Sequence, residues 1–176
     1  MANLKPLMSS AKGDWGTPPT LIRSLETELR RPFAVDLAAR EDNRVAPVHI
    51  GPGSRYAENA LAPGLPEELL LHLPPGIWGR WWWCNPPYGK HMTAWIQQWA
   101  KLTDHGAYIV ALLPARTDTK WFRELHPSFV REVRLLQGRL QFVGASDPAP
   151  FPSMLVFMAS AVGRPEPDLR ITLERR

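Results

Sequence analysis

The sequence predicts an α/β fold: a largely parallel sheet that ends, late in the chain, in an antiparallel edge hairpin. Three observations carry this. Short apolar runs at residues 33–37, 81–84, 108–113 and 153–159 have the length and composition of strands buried on both faces. The early runs alternate with segments of helical period, at 20–29 and 92–102, as βαβ units do. Two further runs, 130–136 and 140–143, flank a turn at Gly138 and read as a hairpin.

Taken in order, residues 1–13 are small and polar and read as a flexible lead-in. In 20–29, Leu21, Ile22, Leu25 and Leu29 share one helical face, Thr17 or Thr20 is a plausible N-cap, and Pro32 ends the helix. The run 33–37 then closes on an acid, Asp36, before small residues Ala38 and Ala39. The signal from 40 to 76 is weak. His49 and Ile50 suggest a short strand, 51–53 a turn, and 66–73 one or two helical turns. Trp95, Ile96, Trp99 and Leu102 give 92–102 its period and are expected in the core. Residues 119–125 read as a short helix, and 164–176 as a charged tail able to add an edge strand.

At 176 residues the chain is read as a single domain, 1–176. Its 19 prolines are roughly double the usual share of about 5%, and with 12 glycines spread along the chain they indicate a loop-rich globular protein. Lys and Arg number 21 against 17 Asp and Glu, a net charge of +4, which is compatible with a polyanionic partner. One cysteine excludes an internal disulfide and suggests a reducing compartment. Five histidines show no ligand spacing, so no metal site is expected. No secretory signal is visible, and no apolar run nears the ~18 residues of a membrane span. The expectation is a cytoplasmic protein without membrane contact.

Chemistry concentrates at Asn85-Pro86-Pro87-Tyr88, directly after the apolar run Trp81-Trp82-Trp83-Cys84. Prolines cannot donate to a ladder, so the strand stops there and the motif falls at its carboxyl end, where open α/β sheets place their ligand crevice. Pro86 and Pro87 fix φ twice and stiffen the loop. The Asn85 amide and the Pro86 carbonyl form a paired acceptor for one –NH₂ group, and Tyr88 offers a flat face on which a planar ring can stack, worth about 1–3 kcal/mol for a base. That arrangement suits methylation of an amine nitrogen. Cys84 reads as a small buried residue, not a nucleophile.

Four segments, read together, resemble the phage-type DNA N6-adenine methyltransferase family across nearly the whole chain. They are Asp14-Trp15-Gly16-Thr17-Pro18; residues 33–39; residues 84–89; and a discontinuous fourth comprising 112–122, Gly138-Arg139-Leu140-Gln141-Phe142 and Ala149-Pro150-Phe151-Pro152-Ser153. The resemblance implies a Rossmann-like methyltransferase fold. It implies S-adenosyl-L-methionine as cofactor, DNA as partner, and transfer of a methyl group to the N6 of a flipped-out adenine. Asn85, Pro86, Pro87 and Tyr88 are then the catalytic residues.

Cofactor contacts are expected from Trp15, Thr17, Pro18, Asp36, Ala38 and Asn59. A hydroxyl at a helix start can hold a carboxylate, and an acid at a strand end can meet a cationic amine. Simpler roles stand beside these: a cap for Thr17, a hydrophobic staple for Trp15, a surface turn for Asn59. The chain carries Leu37-Ala38-Ala39-Arg40 where a G-x-G loop would be sought. Nucleic-acid contacts are expected from Lys90, Arg116, Thr117, Asp118, Thr119 and Arg139. Here too there are structural alternatives, with Asp118 or Thr117 as an N-cap and Arg116 in an ion pair. The same four-residue chemistry serves enzymes that methylate RNA or a protein glutamine, and a relative that binds nucleic acid without catalysis is a further reading.

Overall fold

The computed structural model describes residues 16–160 and 170–174. Seven strands form one sheet in the order β2-β1-β3-β4-β6-β5-β7. They are β1 (Val35–Asp36), β2 (Val48–His49), β3 (Trp81–Cys84), β4 (Tyr108–Pro114), β5 (Val130–Leu136), β6 (Ser153–Met158) and β7 (Arg170–Glu174). The pairs β1–β2, β1–β3, β3–β4 and β5–β7 are parallel, while β6 is antiparallel to both β4 and β5. One strand therefore runs against the other six, and the fold is α/β and Rossmann-like, as expected.

The central strands are buried almost throughout, and successive side chains enter opposite cores, as in a sheet covered on both sides. Trp82, Cys84, Ile109, Ala111, Leu113, Met154 and Val156 face one core with Leu65, Leu69, Trp95, Ile96, Trp99 and Leu102 from the helices α2 (Leu65–His72) and α3 (Met92–Asp104). Trp83, Val110, Leu112, Leu155 and Phe157 face the other. There Ile22 and Leu25 of α1 (Pro19–Leu29) cover them with Leu140, Phe142 and Phe151. The stripes read from α1 and α3 are thus core stripes, and Cys84 is fully buried.

Several local expectations change. Neither Thr17 nor Thr20 caps α1: the N-cap is Pro18, no side chain caps the helix, and Pro19 occupies the first turn. Two consecutive prolines pre-set the entry, and the Pro18 carbonyl accepts from Leu21 and Ile22 N–H. The helix stops before Pro32, at Arg30, which adopts the left-handed conformation (φ 55°). The run 33–37 keeps only two ladder residues, though Ala34 and Leu37 N–H still bond to Trp81 and Trp83 carbonyls.

Residues 140–143 are not a strand. Among the described residues they make one isolated bridge, Val143 N–H donating to Gly16 O at 2.8 Å, and the antiparallel partner of β5 is β6, reached by a long connection. The alternating apolar residues Leu140 and Phe142 pack instead onto the α1 face of the sheet. The tail supplies β7, outside the hairpin. Residues 1–15, 161–169, 175 and 176 lie outside the described residues, among them the expected lead-in and part of the tail. Among the described residues no helix is long and apolar enough to cross a membrane.

Helix α1 is fastened to the sheet by charge. Arg134 on β5 holds Glu28 with both terminal nitrogens (2.7 and 2.8 Å) and Glu132 with Nε (2.9 Å), and its guanidinium lies 4.6 Å from the Phe157 ring centroid. These hydrogen bonds, chiefly that to Glu28, raise the Arg134 pKa further above its usual range. Removing the arginine takes its hydrogen-bonded cation from Glu132, only 21% exposed, which keeps the Thr172 hydroxyl and the more distant Arg170 charge. Arg134→Ala is expected to cost about 2–3 kcal/mol and lower the melting temperature by roughly 5–10 °C, measured by circular dichroism. A drop within 1 °C would mean the cluster contributes nothing net.

Candidate active site

The carboxyl ends of β1, β2, β3, β4 and β5 share one edge of the sheet, and the amino end of β6 meets them there, Pro114 facing Ser153. Asp36 is level with Trp83 on the neighbouring strand. Asn85 stands two residues further on, which places the two Cα atoms about 8 Å apart by sheet spacing. The expected catalytic motif and the expected acid therefore share one crevice edge.

Asn85-Pro86-Pro87-Tyr88 leaves β3 with Asn85 half-buried, Pro86 buried and Pro87 exposed. Tyr88 folds back. Its ring is half-buried between the two cores, while its hydroxyl is enclosed and lies 2.9 Å from Asn85 Oδ1 and 3.2 Å from the Leu112 carbonyl. Burial, with the Cys84 thiol nearby, raises the phenol above its usual range, so it stays protonated and keeps its donor. The buried Cys84 thiol is likewise pushed up, chiefly by burial, and remains a neutral thiol.

The Phe151 ring meets that of Tyr88 edge-on, centroids 5.6 Å apart at 77°. Phe151 is buried. The sequence placed it in a matching segment but gave it no role in the site. An aromatic between two prolines, followed by a strand returning beside β4, is the signal that could have found it. Its segment is pinned there by Ala115 N–H donating to Pro152 O at 2.8 Å.

Asp36 is 4% exposed. Oδ1 accepts from Ala38 N–H (3.3 Å) and Oδ2 from Val45 N–H (3.1 Å). Desolvation outweighs both bonds and lifts the carboxyl from 3.8 to about 6. Ala38 is half-buried beside it. No G-x-G loop follows β1, yet a glycine approaches from the next strand: at Gly51 a Cβ would stand 2.2 Å from the Ala39 carbonyl oxygen. His49, level with Asp36 on β2, is buried with Nδ1 3.6 Å from Glu41 Oε2.

The other expected residues divide. Thr17 is buried and Pro18 half-buried, next to the Gly16–Val143 bridge, so they sit against the connection that follows β5. Trp15 lies outside the described residues. Asn59 is exposed and its Oδ1 accepts from Leu61 N–H at 2.9 Å, an Asx turn that places it in the surface-turn role.

Arg116 follows β4 half-buried, and among the described residues it has no ion-pair partner, contrary to the structural alternative. Thr117 and Asp118 are exposed and neither caps the 3-10 turn Trp121–Glu124, which starts from Lys120 without a side-chain cap. Thr119 Oγ1 donates to Arg116 O at 2.8 Å, tying the loop to itself. Lys90 is exposed beside the motif, and Arg139 is exposed beyond the end of β5. With β6 between them, β4 and β5 are about 10 Å apart, so Lys90, Arg116 and Arg139 spread along the same edge. Among the described residues no group of three or more His, Cys, Asp or Glu side chains could hold a metal ion.

Comparison with known proteins bears on this edge. Seven chains of solved structures match. One is a predicted O-methyltransferase of Agrobacterium tumefaciens, 12% identical, covering 81% of this chain and 78% of its own at a TM-score of 0.40. No curated protein matches. The model of one family, described as DNA N-6-adenine-methyltransferase (Dam), matches residues 6–162. That span takes in the whole edge from Thr17 and Asp36 through the motif at Asn85 to Arg139 and Phe151. The chain belongs to the DNA N-6-adenine-methyltransferase (Dam) family, a family of transferases.

Proposed function

We propose that this protein transfers a methyl group from S-adenosyl-L-methionine to the N6 of an adenine flipped out of DNA. The observation that carries the reading is the half-buried Asn85 amide at the carboxyl edge, fixed between a rigid proline pair and the Tyr88 ring, one strand from a buried carboxyl. An adenine N6 inside a duplex is paired and unreachable. Flipping costs a few kcal/mol, offset in part by stacking on Tyr88.

Asn85 Oδ1 and the Pro86 carbonyl accept the two N6 hydrogens. Both are acceptors placed where positive charge develops on nitrogen, and the stiff loop holds them without reorganisation. With both hydrogens held, the N6 lone pair would face the methyl group the bound cofactor supplies, and one N6 proton would leave to solvent once the nitrogen carries the methyl. Lys90, Arg116 and Arg139, with the Thr117 hydroxyl, would face the phosphates, and Asp118 stands in the same loop, which Thr119 ties to itself through the Arg116 carbonyl.

The cofactor fits the residues present. A carboxyl buried at a cost, with its pKa at about 6, is one a cationic amine would stabilise as the carboxylate. Asp36 would hold the amino group of the methionine part, with Ala38 leaving room beside it. Thr17 would hold its carboxylate through its hydroxyl. When bound, the cofactor supplies an electrophilic methyl group on a sulfonium.

Asp36 gives this a pH signature. Its folded pKa of about 6 exceeds the ordinary 3.8, so the neutral acid favours folding. The stability is full below about pH 4 and is lost as pH rises through 6, a difference of about 3 kcal/mol. Cofactor binding runs the other way: it needs the carboxylate, so affinity is expected to weaken as pH falls below about 6. Titration calorimetry with S-adenosylhomocysteine from pH 5 to 8 measures it. The slope should vanish in Asp36→Asn. An unchanged slope in that variant would remove Asp36 from the cofactor site.

The experiment that tests the function is incubation with DNA and methyl-labelled cofactor, followed by nucleoside mass analysis. N6-methyladenine is the expected product. Label found in RNA or protein controls instead would keep the amine chemistry and move the substrate.

A further inference from the structure

We propose that the outer flank of α1 is a second DNA contact: Arg23, Arg30 and Arg31 hold backbone phosphates of the duplex whose adenine is engaged at the catalytic edge. The inference goes beyond the transfer reading and takes from it only that the polyanion is DNA.

The three arginines surround an open hollow of about 380 Å³, lined also by Glu26, Thr27 and Pro32. Ile22 and Leu25 bury the inner side of α1 against the sheet. Arg23, Thr27 and Arg30, spaced four and three apart, therefore share one exposed flank, and Arg31 follows directly. Among the described residues none of the three guanidinium groups has a hydrogen bond or an ion pair, whereas Arg44 and Arg134 are each held by a glutamate. The acids nearby are committed elsewhere. Glu26 Oε1 accepts from Phe33 N–H at 3.0 Å, and Glu28, on the other flank, is taken by Arg134. Three positive charges thus face the hollow against one negative charge.

Helix stability alone does not account for them. Among the described residues Arg30 alone, glycines apart, adopts a left-handed φ (55°), where glycine would be free of strain. A helix C-terminus does attract cations, but that effect fades within the last turn, and Arg23 lies about two turns back from the C-cap.

Position links the hollow to the crevice. α1 starts beside the connection that leaves the carboxyl edge after β5, and its 11 residues carry the chain about 16 Å toward the amino end of β1. A duplex laid along this flank covers that distance in about five base pairs. The phosphates met by the arginines then belong to flanking sequence, so the contact adds affinity without sequence preference.

Fluorescence anisotropy of a labelled duplex of about 20 base pairs, titrated over a range of salt, measures the contact directly. Arg30→Gly removes one charge and gives the left-handed backbone the residue that suits it, so the fold is spared. It is expected to lower the slope of log affinity against log salt by about 1. Arg23→Gln, Arg30→Gly and Arg31→Gln combined should lower it by about 2–3 and weaken binding about tenfold or more. Lys101→Gln, which removes an exposed cation from α3 on the opposite face, should move the slope by less than about 0.3. In the transfer assay the combined variant should raise KM for DNA and leave kcat within about twofold.

An unchanged slope in the combined variant overturns the proposal. So does an equal drop in Lys101→Gln, which would make the effect one of net charge. If the unmodified protein binds duplex but moves no methyl group, the transfer reading fails on its own and the slopes still decide the contact; if it binds no duplex, both fail.

Discussion

Asn85→Ala is expected to reduce methyl transfer by about 10³-fold while S-adenosylhomocysteine still binds within about threefold. The loss is large because the substitution removes the side-chain acceptor and leaves the amine with a single carbonyl. The fold should be spared. Asn85 is half-buried at a strand end, and the Tyr88 hydroxyl keeps a second acceptor in the Leu112 carbonyl, so the ring has no reason to leave its place. Cofactor binding should be spared as well, since Asp36 is bonded to Ala38 and Val45 and not to the motif. The measurement is single-turnover transfer of labelled methyl to DNA alongside calorimetry with the cofactor product. Transfer within tenfold of the unmodified protein would remove Asn85 from the chemistry. Loss of both transfer and binding would show instead that the crevice had collapsed.

How far the sequence could be read depended on whether local chemistry and tertiary packing agreed. β3 and β4 were legible because bulky apolar runs that end in proline have few other uses: Trp81–Cys84 and Tyr108–Pro114 fall close to where the run and the proline put them. The same prolines located the catalytic motif, since a ladder that cannot continue must release its next residues at the sheet edge.

Residues 140–143 show the opposite. Leu140 and Phe142 alternate as in a strand, but their burial comes from packing under the sheet near α1, and among the described residues the segment's bridge is the isolated one at Val143. Period two reports that one side is buried, not what covers it. Phe151 was hidden for a related reason. Its contact with Tyr88 joins residues 63 positions apart, and the β6 register that brings them together is set by pairing with β4, which no local signal encodes. The cap of α1 was misjudged because Thr17 has the right chemistry but is followed by two prolines that start the helix without it. Asn59, read as a possible cofactor contact, uses its side chain on its own turn.

The glycine that matters most to the cofactor edge is one to which the sequence gave no role beyond a turn. Gly51→Ala is expected to destabilise the protein by about 3 kcal/mol or more, because two costs coincide. At φ +146° an L side chain is strained, a penalty of roughly 1–2 kcal/mol. The added Cβ would also meet the Ala39 carbonyl oxygen at 2.2 Å, a backbone atom that no rotamer can move aside, at about 1–3 kcal/mol for overpacking. Relief requires pushing the β1 exit away from β2, which breaks the bond from Ala39 N–H to Ile50 O and displaces Ala38, whose N–H holds Asp36. Cofactor affinity should therefore fall together with stability.

Gly53→Ala is the control: φ there is +78° and nothing lies within 4 Å of the new Cβ, so only the backbone penalty applies and cofactor binding should be unchanged. Urea midpoints and calorimetry on both variants decide the matter. If Gly51→Ala were no worse than Gly53→Ala, the contact between the ends of β1 and β2 would not be what shapes the edge around Asp36. If it were worse and still bound cofactor normally, that contact would serve stability alone, and Asp36 would have to be positioned by its Val45 bond.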